Sequence, residues 1–445
     1  MNIDELKLLL EQKNYTEISK RLKNMQEVDI AELLDELEHK DALLVFRLLP
    51  KDTAVNVFAY LSPQKQGEIS MLANEDELSN IVNALYFDDK IDFLEEMPAH
   101  IVKKILRNST ETERHLINQF LNYPDNSAGS LMTIEFIDLK KHMTVKEALE
   151  KIRRIGMNKE TIYTCYVIDS QRKLEGIVSL KDLVLADPEQ KIEDIMQTDF
   201  VSVKTLDDQE EVAALFKKYD LLAVPVVDNE NRLVGIITID DIVDVMEEEA
   251  TEDFYHMAAM QTSEKPYLAT SAFELAKQRF IWLLLLMVSS TISGAIIHKY
   301  EYALQSAVAL AIFMPMLMDT GGNAGSQSST VVIRSIALGE ISFKDTLKII
   351  WKEFSVSIIV GIPLALVNFL RIYFIEKYDM RIAITVSGTL VITVIFAKLV
   401  GSILPIVAKK VDIDPAIMAA PLITTIVDAI SLMFYFSFAH VVLGL

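Results

Sequence analysis

The stretch Ile417–Leu432, IMAAPLITTIVDAISL, sets one carboxylate, Asp428, inside an apolar run that continues to residue 444. A charge at bilayer depth costs about 2.5 to 3.5 kcal/mol on insertion scales, so such a residue faces a water-filled path or a partner rather than lipid. Its neighbours favour a functional site. Pro421 lacks a backbone donor and can free a carbonyl, and Thr424 and Thr425 add hydroxyl oxygens within one or two turns of Asp428. An all-oxygen set of this kind suits a hard cation. The plainer alternative is an aspartate that only caps a polar helix contact.

Outward from this stretch, composition separates two halves. The chain has 445 residues, 51% of them hydrophobic, yet a formal net charge of -21. Residues 265–445 hold 14 Lys+Arg against 11 Asp+Glu, and residues 1–264 hold 29 against 53. An acidic soluble half joined to an apolar half argues for cations as partners and against nucleic acid. Cys165, the single cysteine, excludes an intrachain disulfide, and in the run YTCYVI it reads as a buried strand residue. The start, MNIDELKLLLEQ, mixes acids into its leucines and lacks a basic leader segment, so the soluble half is expected in the cytosol.

Residues 1–128 show helical periodicity with short breaks, as in Ile30-Leu33-Leu34-Leu37, Val55-Val57-Phe58-Leu61 and Ile101-Ile105, which predicts a helical array of stacked hairpins. The turn formers Asn122–Gly129 close it. A repeat follows: Asp169, Gly176 and Asp182 recur as Asp228, Gly235 and Asp241, each 59 positions on. Each copy reads as helix, strand, turn, strand and a Ser/Thr-x-x-Asp helix start, and the pair (129–192 and 193–246) resembles tandem CBS domains. In such domains the Asp after the last strand often holds the ribose of an adenine nucleotide, which makes Lys181 and Asp182 candidates for ATP as an allosteric ligand. Ser179-x-x-Asp182 is equally a plain capping box. From 240 to 264 an acidic helix is expected, with Asp240, Asp241, Asp244, Glu248, Glu249 and Glu252 repelling one another unless cations bind between them and another acidic surface.

Residues 265–445 hold five runs long enough to span a bilayer, about 280–298, 302–333, 354–375, 382–408 and 415–444. The Lys/Arg bias places the soluble half inside and the C-terminus outside. Within the second run, Asp319-Thr320-Gly321-Gly322-Asn323 predicts irregular backbone lining a pathway, with a small-residue packing face as the alternative. Pro363 and Pro405 are expected to kink their helices, and Lys398 to snorkel or pair with an acid.

The motifs P-x-x-x-D-T-G-G-N-A-G-S-Q (Pro315–Gln327) and P-x-x-T-T-x-x-D (Pro421–Asp428), with an acidic helical domain, tandem CBS repeats and an acidic connecting helix, are similar to the MgtE family of magnesium channels over essentially the whole chain. The resemblance implies a multidomain membrane protein: an all-α helical-array N domain, α/β tandem CBS domains, a connecting plug helix and a five-helix transmembrane domain in the cell's inner membrane. It implies a homodimer in which two Asp428 side chains hold a hydrated Mg2+. It also implies feedback closure by Mg2+ bound at Asp88, Asp92, Asp208, Glu210, Asp220, Asp241, Asp244, Glu249 and Glu252. Ser431 stands where many relatives carry Gly, and Ala420 where some carry a polar side chain. Among rival classes, an enzyme lacks its motifs, since His256, His298 and His440 are scattered, and no Walker A sequence is present. An ion-coupled transporter of divalent cations and a membrane sensor of metal or nucleotide remain as alternatives.

Overall fold

The structure, a computed structural model, describes residues 1–262, 267–268, 270–306, 308–411, 413–418 and 420–444. It divides into two compact units, Met1–Met246 and Glu247–Leu445. The expected boundary at 264/265 lies outside the described residues.

In the first unit, ten helices of eight to ten residues fill Ile3–Phe120. Helices this short are marginal in water alone, so their stability comes from packing. Ile30, Leu34, Val57, Phe58, Ile101 and Ile105, on the apolar stripes read from the sequence, are buried in one core together with Leu78, Ile91 and Phe93. Asn2, Asn14, Ser62, Asn74 and Thr110 start five of the helices by accepting a backbone N–H into the side chain. The same core runs on into the second repeat through Val203, Phe216, Val224, Ile237 and Ile242. The first repeat encloses its own core around Val167, Val178 and the buried Cys165. One helix of the array, α1 (Phe87–Glu96), is used below.

In the first repeat β1 (Ile137–Leu139) leads through α2 (Val145–Ile155) to β2 (Thr164–Ile168), its parallel neighbour, and β3 (Leu174–Ser179) returns antiparallel before α3 (Leu180–Leu185). The second repeats this with β4 (Val203–Lys204), α4 (Gln209–Tyr219), β5 (Ala223–Val227) and β6 (Leu233–Thr238), then α5 (Ile239–Met257). Val167 lies opposite Gly176 and Val226 opposite Gly235, so the 59-residue step is a structural one. The glycines admit a strand exchange. Thr133, ahead of β1 in the first repeat, trades backbone hydrogen bonds of 2.8 and 2.9 Å with Ile236 of β6, and Gln197, ahead of β4 in the second, trades bonds of 2.9 and 3.0 Å with Ile177 of β3. A β-carbon on Gly235 would sit 2.7 Å from the Thr133 carbonyl oxygen, and one on Gly176 3.0 Å from that of Gln197.

The second unit is helical. Among the described residues, four helical runs are long and apolar enough to cross a membrane: α6 (Ala272–Lys299), Phe343–Ile375 containing α8 (Thr346–Leu370), α9 (Met380–Lys410), and Pro415–Leu443 containing α10 (Ala420–Leu443). The expected run 302–333 is instead a short helix, Glu301–Ser306, and α7 (Ala309–Ala337). At 29 residues α7 is long enough to span, although its Asp319–Asn323 centre makes it less apolar than the other four.

α7 also corrects the expectation of irregular backbone, because the helix continues unbroken through Gly321, Gly322 and Asn323. A helix satisfies its own backbone groups where no water is available, and the glycines here serve packing. β-Carbons on Gly321, Gly322 and Gly325 would lie 2.6 to 2.8 Å from side chains of Thr393, Thr424 and Ile423, and one on Gly401 2.2 Å from the Gly325 carbonyl oxygen. Helices α7 and α9 thus cross backbone to backbone. Pro363 and Pro405 lie inside α8 and α9, which run on through them.

Candidate ion pathway and regulatory metal site

In the first unit, α1 presents Asp88 to two carboxylates that come from separate segments, Glu135 just before β1 and Glu160 just before β2. One oxygen from each lies within 4.8 Å of the others. Asp88 Oδ1 and Glu160 Oε2 are buried with no hydrogen-bond partner, whereas Glu135 Oε2 accepts the Phe87 backbone N–H at 3.3 Å. Asp89, Asp240 and Asp241 add negative charge around them. Burial first, then neighbouring carboxylates, raises Asp88 to about 7, Asp89 to about 6, Glu160 to about 8 and Asp241 to about 7. Burial also raises Glu135. Orphaned, mutually repelling carboxylate oxygens are a fit for a hard divalent cation such as Mg2+, which takes oxygen donors.

These shifts give a pH prediction. Each carboxyl titrates higher folded than unfolded, so the stability this confers is full below the ordinary carboxyl range near about pH 4 and is lost as pH rises through about 6 to 8. Calorimetry of the unit 1–246 in Mg2+-free buffer is expected to show a Tm at least about 5 °C lower at about pH 8.5 than at about pH 6. Saturating Mg2+ is expected to abolish that fall. A flat Mg2+-free profile would contradict the charge cluster.

Of the acids expected at regulatory sites, the structure brings Asp88 and Asp241 into this cluster, with Asp92 one turn along α1 from Asp88 and exposed. Asp240, read from the sequence only as one of the repelling acids of the helix, joins them, and Asp89, Glu135 and Glu160 were not read from the sequence. Glu135 and Glu160 are single acids far from α1 in the chain, and only the fold gathers them. Asp208 and Glu210 lie at the start of α4, where Asp208 accepts the Glu210 backbone N–H at 2.9 Å; Asp220 ends the helix in a left-handed conformation at φ 51°. Eleven residues of helix separate the two ends by about 16 Å, so the three do not chelate one ion within a chain. Asp244, Glu249 and Glu252 lie along α5. Glu252 Oε1 is 3.6 Å from His256 Nε2, and His256 Nδ1 is 2.5 Å from Asp414 Oδ2, so one of the scattered histidines joins α5 to the loop ahead of α10. Asp182 sits at the start of α3, where Ser179 Oγ donates to its Oδ2 at 2.6 Å and accepts its backbone N–H at 3.0 Å; Lys181 beside it is exposed.

In the second unit Pro421 falls in the first turn of α10, where its missing donor forfeits no helical bond. Its own carbonyl accepts from two side chains: Thr424 Oγ1 and Thr425 Oγ1 donate to it at 2.9 and 3.1 Å. Those hydroxyls keep their lone pairs. Asp428, one turn further along this face of α10, is half-buried and has no hydrogen bond or ion pair among the described residues. Ser431 Oγ, a turn beyond, is buried without a partner close to Gly321. On α7, Asp319, Asn323 and Gln327 recur every four residues and are exposed, opposite the buried Gly321, Gly322 and Gly325. One face of α7 is polar where lipid would demand apolar side chains.

Comparison with known proteins gives the family. The family described as "Divalent cation transporter" (MgtE) matches residues 314–438, the "MgtE intracellular N domain" matches 25–126, and CBS domains match 128–189 and 192–248. These matches, with the apolar helices, define the class as a membrane-embedded divalent-cation transporter family with a CBS pair. The chain is 35% identical over 428 residues to the magnesium transporter MgtE of Thermus thermophilus, covering 95% of this chain and 94% of that one. It is 35% identical over 423 residues to the magnesium transporter MgtE of Bacillus subtilis, covering 92% and 93%. The chain belongs to the MgtE family. Its N-terminal half is similar to the crystal structure of the cytosolic domain of the Mg2+ channel MgtE in complex with ATP (36% identity, TM-score 0.52, covering 55% of this chain and 100% of that one). It is also similar to the soluble part of a magnesium transporter (29%, 0.52, 56% and 98%).

Proposed function

We propose that the chain is a Mg2+-selective channel that admits Mg2+ down its electrochemical gradient and closes when Mg2+ binds its own acidic soluble segments. The observation that carries this reading is Asp428, an unpartnered carboxylate in an apolar helix that packs on the polar helix α7. Mg2+ dehydrates reluctantly and is usually held through water by one or two carboxylates. A homodimer would supply two Asp428 groups about one hydrated ion, with Thr424 and Thr425 oxygens beside them. Asp319 and Asn323 line the approach.

Closure follows from the soluble carboxylates. Without Mg2+ the charges around Asp88, Glu135, Glu160 and Asp241 repel; with Mg2+ they are drawn together, and Asp244, Glu249 and Glu252 extend the acidic surface along α5. A ligand shifts an equilibrium only by its differential affinity, and moving a gate from 1:99 to 99:1 takes about 5.5 kcal/mol, which several weak sites share. The Lys/Arg distribution supports a reading with the N-terminal unit in the cytosol and the C-terminus outside, in the cell's inner membrane. ATP, bound in the structure of the similar cytosolic domain, is taken here as an allosteric ligand at Lys181 and Asp182. Asp182→Ala is expected to weaken ATP binding in calorimetry by about ten-fold; no binding to the unmodified protein would leave Asp182 as a helix cap.

The test of the main reading is Mg2+ entry into liposomes carrying the purified protein, followed by an internal dye without proton or Na+ gradients. Entry at low internal Mg2+ supports a channel. Entry only with an imposed ion gradient makes the protein a coupled transporter, and none under any gradient makes it a sensor.

A further inference from the structure

Lys398 and Glu353 lie inside two runs apolar enough to cross a membrane, and the pathway proposed above uses neither. Twelve residues separate Lys398 from the end of α9, about 18 Å along the axis, beyond the reach of a lysine side chain to the interface. It pairs inward instead. Lys398 Nζ is 3.3 Å from Ser328 Oγ of α7 and 3.9 Å from Glu353 Oε2 of α8, and Ser328 Oγ donates to the same Glu353 oxygen at 2.6 Å. Lys398 and Ser328 are buried, and the Glu353 side chain is only 14% exposed. One hydroxyl thus accepts from an ammonium and donates to a carboxylate where three helices meet.

The position of this triad matters as much as its chemistry. Gly401 lies one turn after Lys398 and Gly325 one turn before Ser328, and these glycines mark the backbone crossing of α7 and α9. Ser329, next to Ser328, donates to the Met418 carbonyl at 3.3 Å, just ahead of the helix that carries Asp428. The triad therefore braces α7 beside its links to α9 and to the start of α10. A buried charge left without its partner is strongly unfavourable, so each member is held to the others.

We propose that Glu353, Ser328 and Lys398 are positioning residues for ion binding: they set α7 against α10 so that the polar stripe of α7 and Asp428 border one path. This rests on the channel reading. A brace that served stability alone would, when cut, lower the amount of active protein and its maximal flux without moving the half-saturating Mg2+ concentration.

The test measures Mg2+ flux into liposomes by the full-length protein as a function of external Mg2+. Lys398→Met and Glu353→Gln are each expected to raise the half-saturating concentration by about five-fold or more, and the double variant to return within about two-fold of the unmodified value. Ser328→Ala, which keeps both charges, is expected to raise it about two-fold and stands in if a single charge variant fails to fold. A second readout needs no transport: the distance between spin labels at Gln327→Cys on α7 and Ile426→Cys on α10, both exposed while Cys165 is buried. It should shift in the single variants and recover in the double. Unchanged half-saturation and label distance in a folded single variant, or a double no better than the singles, overturns the proposal. No flux from the unmodified protein contradicts the channel reading alone, and the label distance then decides the triad.

Discussion

Replacing Asp428 with Asn is expected to cut Mg2+ flux by about a hundred-fold or more, with the protein still folded. The amide keeps the shape of the side chain and removes one negative charge per subunit, two in a dimer. At about 4 Å a unit charge pair is worth about 1 kcal/mol in bulk water and about 4 kcal/mol at the effective dielectric of a protein surface, and Mg2+ carries two charges. Asp428 has no cationic neighbour among the described residues that would be orphaned by the change, so the thermal stability of the protein in detergent should hardly move. Flux within about two-fold of the unmodified protein would remove Asp428 from the pathway.

Neutralising the soluble cluster should have the opposite sign. In Asp88→Asn, Glu135→Gln, Glu160→Gln protein, the internal Mg2+ concentration that halves flux is expected to rise by about ten-fold or more, because the closed form loses its preference for the ion. Stability without Mg2+ should rise in the same variant, since three mutually repelling buried carboxyls are gone. The pairing separates a gate from a simple lesion. A variant that is more stable without Mg2+ yet closed by it as before would place the regulatory ions elsewhere.

Much of the fold was legible because its signals are one-dimensional. A carboxylate in an apolar run, a 59-residue offset between Gly176 and Gly235, and leucine stripes broken every ten residues each survive in the chain order. Partnerships across distant segments were not. Glu135 and Glu160 join Asp88 only through the fold, and His256 meets Asp414 across 158 positions. Gly321 and Gly322 misled for a different reason: their low helix propensity is measured in water, where the backbone has an alternative partner. In a close helix crossing, the missing side chain is what the site requires, and α7 stays regular. Lys398 was open between two readings until Ser328 and Glu353 showed the acid it pairs with.

The most direct test of the central claim is the current through the purified protein in a planar bilayer, with a Mg2+ gradient as the only cation gradient and the pH equal on both sides. The account predicts a current that reverses at the Mg2+ equilibrium potential and shuts when Mg2+ is raised on the side of the soluble unit. A reversal potential that tracks an added proton or Na+ gradient, or a current indifferent to Mg2+ on that side, would contradict it.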